Sequence, residues 1–264
     1  MKKNKLANII VIVVITLTMM LPASAYTTPK GDYYQLTVYH FKSSQQQATT
    51  EAYLKSIYLP VLHSIGLKNI GVFTSIDNDT ASDKRLYVLV PIKNLAQIAA
   101  ISSAIATSNL VKQDNTGYTY APFNNPAFER IESIVLKAFE KMPFMQTPQL
   151  NSAATDRVYE LRSYEAASEQ LYRQKVKMFN TGGEVALFKR LNFNAVFYAE
   201  VLAGSKMPNL MYMTTFNNKA ERDAHWKIFS ADAEWKTLSA LPEYQNTVSK
   251  NDTRFLHPTS YSDF

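Results

Sequence analysis

The 264-residue sequence contains no cysteine. Disulfides and thiolate metal sites are therefore excluded, and packing must carry the stability of its core. Glycine is scarce, with seven residues in all, and none belongs to a glycine-rich phosphate loop. His40, His63, His225 and His257 show no HxH, HExxH or other paired spacing. No metal site is expected from them, and no cofactor is called for. The text holds no Gly-x-Ser-x-Gly and no Ser, His and acid in a recognisable order. Asp77, Asp79 and Asp83 crowd one stretch, but the glycine and terminal glutamate of a calcium loop are missing, so they read as a solvated turn. Strong charge of one sign is also absent. A formal +6, spread evenly, excludes nucleic acid as an expected partner.

The N-terminus carries a different kind of message. Lys2, Lys3 and Lys5 precede an apolar run from Ile9 to Ile15 that extends to Leu21, and Ala23-Ser24-Ala25 has the small-x-small form of a cleavage site. The pattern predicts a secretory signal peptide over residues 1–25, too short in its apolar part for a spanning helix. Its removal takes three lysines and leaves about +3. An exported protein, periplasmic or secreted and free of the membrane after cleavage, is the expectation.

The rest of the chain is written twice. Tyr34-Gln35-Leu36-Thr37-Val38-Tyr39 corresponds to Tyr159-Glu160-Leu161-Arg162-Ser163-Tyr164, with residues 34 and 159 standing 125 apart. Asn69 with Val72-Phe73 corresponds to Asn194 with Val196-Phe197, again 125 apart at the asparagines, and Leu86 to Asn94 corresponds to Leu210 to Asn218 at 124. Each copy reads β-α-β-β-α-β. In the first, alternation over Tyr33 to Phe41 predicts a strand, and Ser44 with Gln47 suggests the cap of a helix that ends at Gly66 and bends at Pro60. In the second, a helix from Ser168 is broken at Gly182-Gly183, and Lys219 to Leu238 reads as a single helix. The boundaries follow: a first repeat over 32–142, a linker over 143–156 rich in Pro, Gln, Ser and Thr, and a second repeat over 157–264.

A β-α-β-β-α-β unit is ferredoxin-like, with helices on one face of an antiparallel sheet and a bare face that needs a partner. The predicted class is α+β: two ferredoxin-like units packed sheet to sheet as a dimeric α/β-barrel within one chain. Particular text supports it. Met178-Phe179-Asn180-Thr181-Gly182-Gly183-Glu184, then Pro208-Asn209-Leu210-Met211-Tyr212-Met213, then Ala224-His225-Trp226 with Phe229, Asp232 and Glu234-Trp235, resembles the NIPSNAP family in residues and order. The resemblance implies membership of the dimeric α/β-barrel superfamily. It implies no particular reaction.

Candidate site residues come from strand alternation. Tyr159 and Leu161 share one face, while Glu160, Arg162 and Tyr164 share the other. Helices need an apolar face to cover, so the apolar pair is expected beneath them and the polar trio inside the barrel. There Arg162 would receive an anionic or carbonyl group and Glu160 or Tyr164 would handle a proton. A structural ion pair between Glu160 and Arg162 is the competing reading. Tyr198, Glu200 and Tyr212 lie on neighbouring strands, on a face that the sequence does not fix. His257 joins the candidates by analogy with related barrels that hold haem or run cofactor-free oxygenation. Gly182, Gly183 and Glu184 form a second tier, through exposed backbone N–H groups or close helix packing. The aromatic-rich stretch from Val111 to Asn125 is expected to be a lid or a contact with a second chain. The leading functional expectation is a small molecule or partner bound in the barrel cavity, with a homo-oligomer a further expectation. The alternative is a cofactor-free or haem-related monooxygenase, isomerase or lyase acting on a small carbonyl or aromatic compound.

Overall fold

The computed structural model describes residues 31–264, which form one compact unit. The signal-peptide reading lies outside the described residues. Among those residues, no helix is long and apolar enough to cross a membrane.

The elements appear in the predicted order. The first half contains β1 (Tyr33–Phe41), α1 (Ser44–Tyr53), a π-helical turn (Leu54–Tyr58), α2 (Leu59–Ser64), β2 (Gly71–Ser75), β3 (Lys84–Ile92), α3 (Ala96–Thr107), α4 (Asn109–Lys112) and β4 (Arg130–Ala138). The second contains β5 (Val158–Glu165), α5 (Glu169–Asn180), α6 (Glu184–Arg190), β6 (Ala195–Ala203), β7 (Asn209–Phe216), α7 (Lys219–Ala231), α8 (Ala233–Ser239) and β8 (Lys250–Pro258). All eight strands close into one antiparallel barrel in the order β1-β3-β2-β8-β5-β7-β6-β4. The first half thus supplies β4-β1-β3-β2 and the second supplies β8-β5-β7-β6, the same internal order. Two seams, β2 with β8 and β4 with β6, join them. Closure leaves no sheet edge open.

Local chemistry explains the departures from the sequence reading. The first helix is capped one residue earlier than expected, by Ser43, whose hydroxyl accepts the Gln46 N–H at 3.2 Å. The bend expected at Pro60 is taken up by the π turn, where the Leu59 N–H donates to the Leu54 carbonyl just before the proline. Gly66, in the left-handed region at φ 86°, ends the helix as predicted. The stretch read as one helix from Lys219 to Leu238 is two, because Asp232 turns extended and its carboxylate caps α8 through the Glu234 and Trp235 N–H groups.

The barrel interior is packed with apolar side chains. Tyr34, Leu36, Val38, Tyr159, Leu161, Phe197, Met211 and Met213 all belong to one buried cluster. Aromatic pairs cross between the halves symmetrically, Tyr34 against Phe197 at 5.2 Å and Phe73 against Tyr159 at 4.9 Å between ring centres. At the polar mouth of the barrel, between Arg85, Glu132, Asp252 and Arg254, only about 40 Å³ is left open. That is room for a few water molecules. The expected binding cavity inside the barrel is filled.

The Val111 to Asn125 stretch does not cover a barrel end. Its Tyr118 stacks on Tyr53 of α1 at 3.9 Å and 11° and packs with Tyr39 and Phe128, in the cluster between the first-half helices and their strands.

Candidate functional site

Strand alternation placed the right residues together on the wrong face. Tyr159 and Leu161 point into the barrel, whereas Glu160, Arg162 and Tyr164 point outward beneath α5, α6 and α7. A helix-covered face need not be the apolar one. Here the helices bring their own polar partners. Glu160 is fully buried and accepts four charge-assisted or indole hydrogen bonds. They come from Arg162 Nε at 2.7 Å, Arg222 Nε at 2.8 Å, Arg222 Nη2 at 2.7 Å and Trp226 Nε1 at 2.7 Å. Arg222 and Trp226 sit one turn apart on α7, so both reach the same carboxylate. Burial alone would raise the Glu160 pKa, but Arg222 and Arg162 outweigh it and hold the carboxyl below its usual range.

The network continues along the sheet. Arg162 lies 3.9 Å from the centre of the Trp226 ring, and its Nη1 donates to the Tyr164 hydroxyl at 3.0 Å. The Tyr164 and Tyr212 hydroxyls share a 2.7 Å hydrogen bond. Burial opposes the Arg162 charge, yet Tyr212, Tyr164 and Glu160 together keep its pKa above the ordinary arginine value. Burial also pushes the Tyr212 and Tyr198 phenols well up, so both stay neutral.

Behind this sheet face the Gly-Gly-Glu segment has a packing explanation. A Cβ on Gly182 would lie 2.6 Å from the Met178 carbonyl oxygen and 2.8 Å from its Cα, and Gly183 has φ 98°. The pair turns the chain sharply from α5 into α6. Glu184, the first residue of α6, then reaches back to Lys175 of α5 at 2.8 Å. Both are almost fully buried, and the Lys175 ammonium also lies over the Phe179 ring at 4.8 Å. Burial raises the Glu184 pKa against the pull of Lys175 and Arg162. Lys175, Arg222 and Trp226 were not among the sequence candidates. The i, i+4 spacing of Arg222 and Trp226 was the available signal.

Two candidates stand outside the group. Glu200 accepts from the Tyr172 hydroxyl at 2.9 Å, at the edge of the same face. His257 faces outward on β8, its Nδ1 bonded to the Arg157 carbonyl at 2.7 Å, opposite Thr74 of the first half. Among the described residues, no group of three or more His, Asp or Glu side chains is placed to hold a metal ion.

The matching face of the first half is chemically plain. Gln35 and Thr37 stand where Glu160 and Arg162 stand in the second, with Gln35 bonded to the Ser133 hydroxyl at 3.0 Å.

An open cavity adjoins the second-half network. It holds about 430 Å³ between α6, the start of β6 and the segment from Lys141 to Gln146, and Tyr198 forms part of its wall.

Residues 159–263 match the family model described as NIPSNAP. The second half resembles a NIPSNAP domain. The match covers the network of Glu160, Arg162, Tyr164, Glu184 and Trp226 in full. Among solved structures, a proposed monooxygenase from Lactobacillus acidophilus is similar at 12% identity and TM-score 0.54, covering 87% of this chain and 94% of that one. A second proposed monooxygenase, from Fusobacterium nucleatum, is similar at 6% identity and TM-score 0.55, covering 87% and 93%. A NIPSNAP-like domain protein from Burkholderia xenovorans shares 17% identity over 40% of this chain and 89% of its own, with TM-score 0.37. No curated protein matches. At such identities the first two likenesses show the fold alone: a mixed α/β chain around an eight-stranded antiparallel barrel.

Proposed function

We propose that this chain is an exported NIPSNAP-type binding protein, built from two ferredoxin-like units, that takes a small molecule between α6, the start of β6 and the segment from Lys141 to Gln146. Its carrying observation is a contrast in space. The barrel interior is packed with side chains, while about 430 Å³ lies open between α6, the start of β6 and the segment from Lys141 to Gln146, within the range of small-molecule sites. Repetition of one strand order in the two halves supports the ferredoxin-like description. In this reading the Glu160 network is the frame of the site. Four donors saturate Glu160, and its lowered pKa suits a permanent anion rather than a base poised near neutral pH.

A second reading has one observation behind it. Glu184 is a buried carboxyl with a raised pKa, and burial of this kind is how folds set up acid–base groups. An acid–base enzyme of monooxygenase, isomerase or lyase type would use Glu184 near Tyr198 and Tyr212. Native mass spectrometry of the mature protein from its own host, before and after denaturation, tests the binding reading. A small molecule lost on denaturation supports it, whereas apo protein from a producing host overturns it. The mature N-terminus in the same spectrum tests export: it begins at Tyr26 if the signal peptide is cleaved as expected.

A further inference from the structure

The long connection from α4 to β4 turns two aromatic side chains to solvent. Among the described residues, Phe123 is wholly exposed and Tyr120, three positions earlier, is 65% exposed, more than any other large apolar or aromatic side chain. The equivalent connection of the second half, between α8 and β8, does the opposite. Its Tyr244 is buried with Met178, Leu238 and Trp235. Beside Phe123 the surface is hollow. A depression of about 640 Å³ opens between Val111, Tyr118, Pro122, Pro126 and Phe128, with Phe123 at its rim. The charged residues that line it are Glu129 and Arg130, one of each sign.

Protrusion and hollow are both held in place. The Asn125 N–H donates to the Pro122 carbonyl at 2.9 Å, closing a turn with Phe123 at its second position. Asp114 Oδ2 accepts the Thr119 N–H at 2.8 Å, and Tyr118 is stacked on Tyr53. On the far side, Gln46 Nε2 donates to the Pro126 carbonyl at 3.1 Å and the Thr50 hydroxyl to the Ala127 carbonyl at 3.0 Å, tying the return of the connection to α1. A ring presented on a fixed turn loses little on ordering when it is covered.

We infer that this face docks a second copy of the chain, Phe123 of each protomer entering the hollow of its partner about a two-fold axis. A protrusion and a hollow on one face are self-complementary under that symmetry, so a second copy fills both at once. The area suits a reversible dimer. Phe123 and the exposed part of Tyr120 offer about 330 Å² per copy, given what aromatic side chains bury. The walls they cover lose a similar amount, so the pair of copies buries about 1,300 Å², near the lower bound for a specific interface and consistent with roughly micromolar association. One glutamate and one arginine at each rim raise no like-charge barrier. The inference is independent of the binding reading above, and the two fail separately.

Sedimentation velocity of the mature protein, from about 1 to 200 μM, should show a monomer–dimer equilibrium with half the protein dimeric at about 10 μM. Phe123→Ser should stay monomeric throughout and melt with the parent, because a wholly exposed ring contributes no packing to the fold. Phe123→Trp locates the contact. After subtraction of the parent spectrum, which comes from Trp226 and Trp235, the emission of the added indole should move to the blue in step with dimerisation. A parent that remains monomeric at roughly 200 μM overturns the inference and leaves the hollow to another occupant. A dimer that survives Phe123→Ser overturns it as well, as does one whose formation leaves the added indole in water.

Discussion

Replacing Glu160 by Gln isolates the charge at the centre of the second-half network with little change of shape. In the native protein each carboxylate oxygen accepts two donors: Oε1 from Arg162 Nε and Arg222 Nη2, Oε2 from Arg222 Nε and Trp226 Nε1. An amide must turn its NH₂ toward one of those pairs, so two donors lose their acceptor whichever way it flips. Two arginines are also left side by side with no anion between them. Removing one partner from a buried ion pair costs about 3–5 kcal/mol. The Arg162 and Arg222 side chains are 13% and 15% exposed, so water relieves part of the repulsion and the lower end, about 3 kcal/mol, applies. For a domain of this size that corresponds to a fall of roughly 6–12 °C in melting temperature. Differential scanning calorimetry at neutral pH reads it directly. A Glu160→Gln protein that melts within about 2 °C of the parent would rule out that cost. The carboxylate would then not be what holds α7 to β5.

Three further outcomes follow from the same geometry. Gly182→Ala should destabilise by about 1–3 kcal/mol in urea titration, since the new Cβ meets the Met178 backbone rather than a movable side chain. The two buried glutamates should give opposite pH responses. Glu160, with its pKa lowered, contributes stability above the ordinary value of 4.5 that is lost as acid protonates it below that value; Glu184, with its pKa raised, favours the protonated folded state, so its contribution is lost as pH rises above 4.5. Comparing pH–stability curves of the parent and Glu184→Gln should show that upper slope flatten in the variant, and an unchanged slope would count against a raised Glu184. Tyr118→Ala removes the ring stacked on Tyr53, and limited proteolysis should then cut between Asp114 and Pro126 well before the parent is cut.

Much of the fold was legible because strands and helices differ in period. The doubled text fixed the number of strands, and Gly66 and the Gly182-Gly183 pair fixed two turns through backbone freedom that other residues lack. The break at Asp232 is masked because Trp226, Phe229 and Trp235 continue a helical spacing across it. The site was harder. Period-2 alternation separates Glu160, Arg162 and Tyr164 from Tyr159 and Leu161, yet both faces of a covered barrel are buried, so polarity alone cannot say which is inside. That decision is made by α7, through Arg222 and Trp226, 62 and 66 residues downstream of Glu160. The cavity was less legible still. Its wall combines residues from the inter-repeat segment, α6 and β6, and only the folded chain brings Lys141 within range of Lys189.

The two seams between β2 and β8 and between β4 and β6 have a consequence for how the molecule can diversify. A barrel closed by two identical chains is bound by symmetry: every change to one ligand face is made to the other. Here both seams are made within a single polypeptide, so each face mutates alone. The first half can drift to Gln35 and Thr37 and survive on closure, while the second keeps a charged lattice that would be expensive to maintain twice.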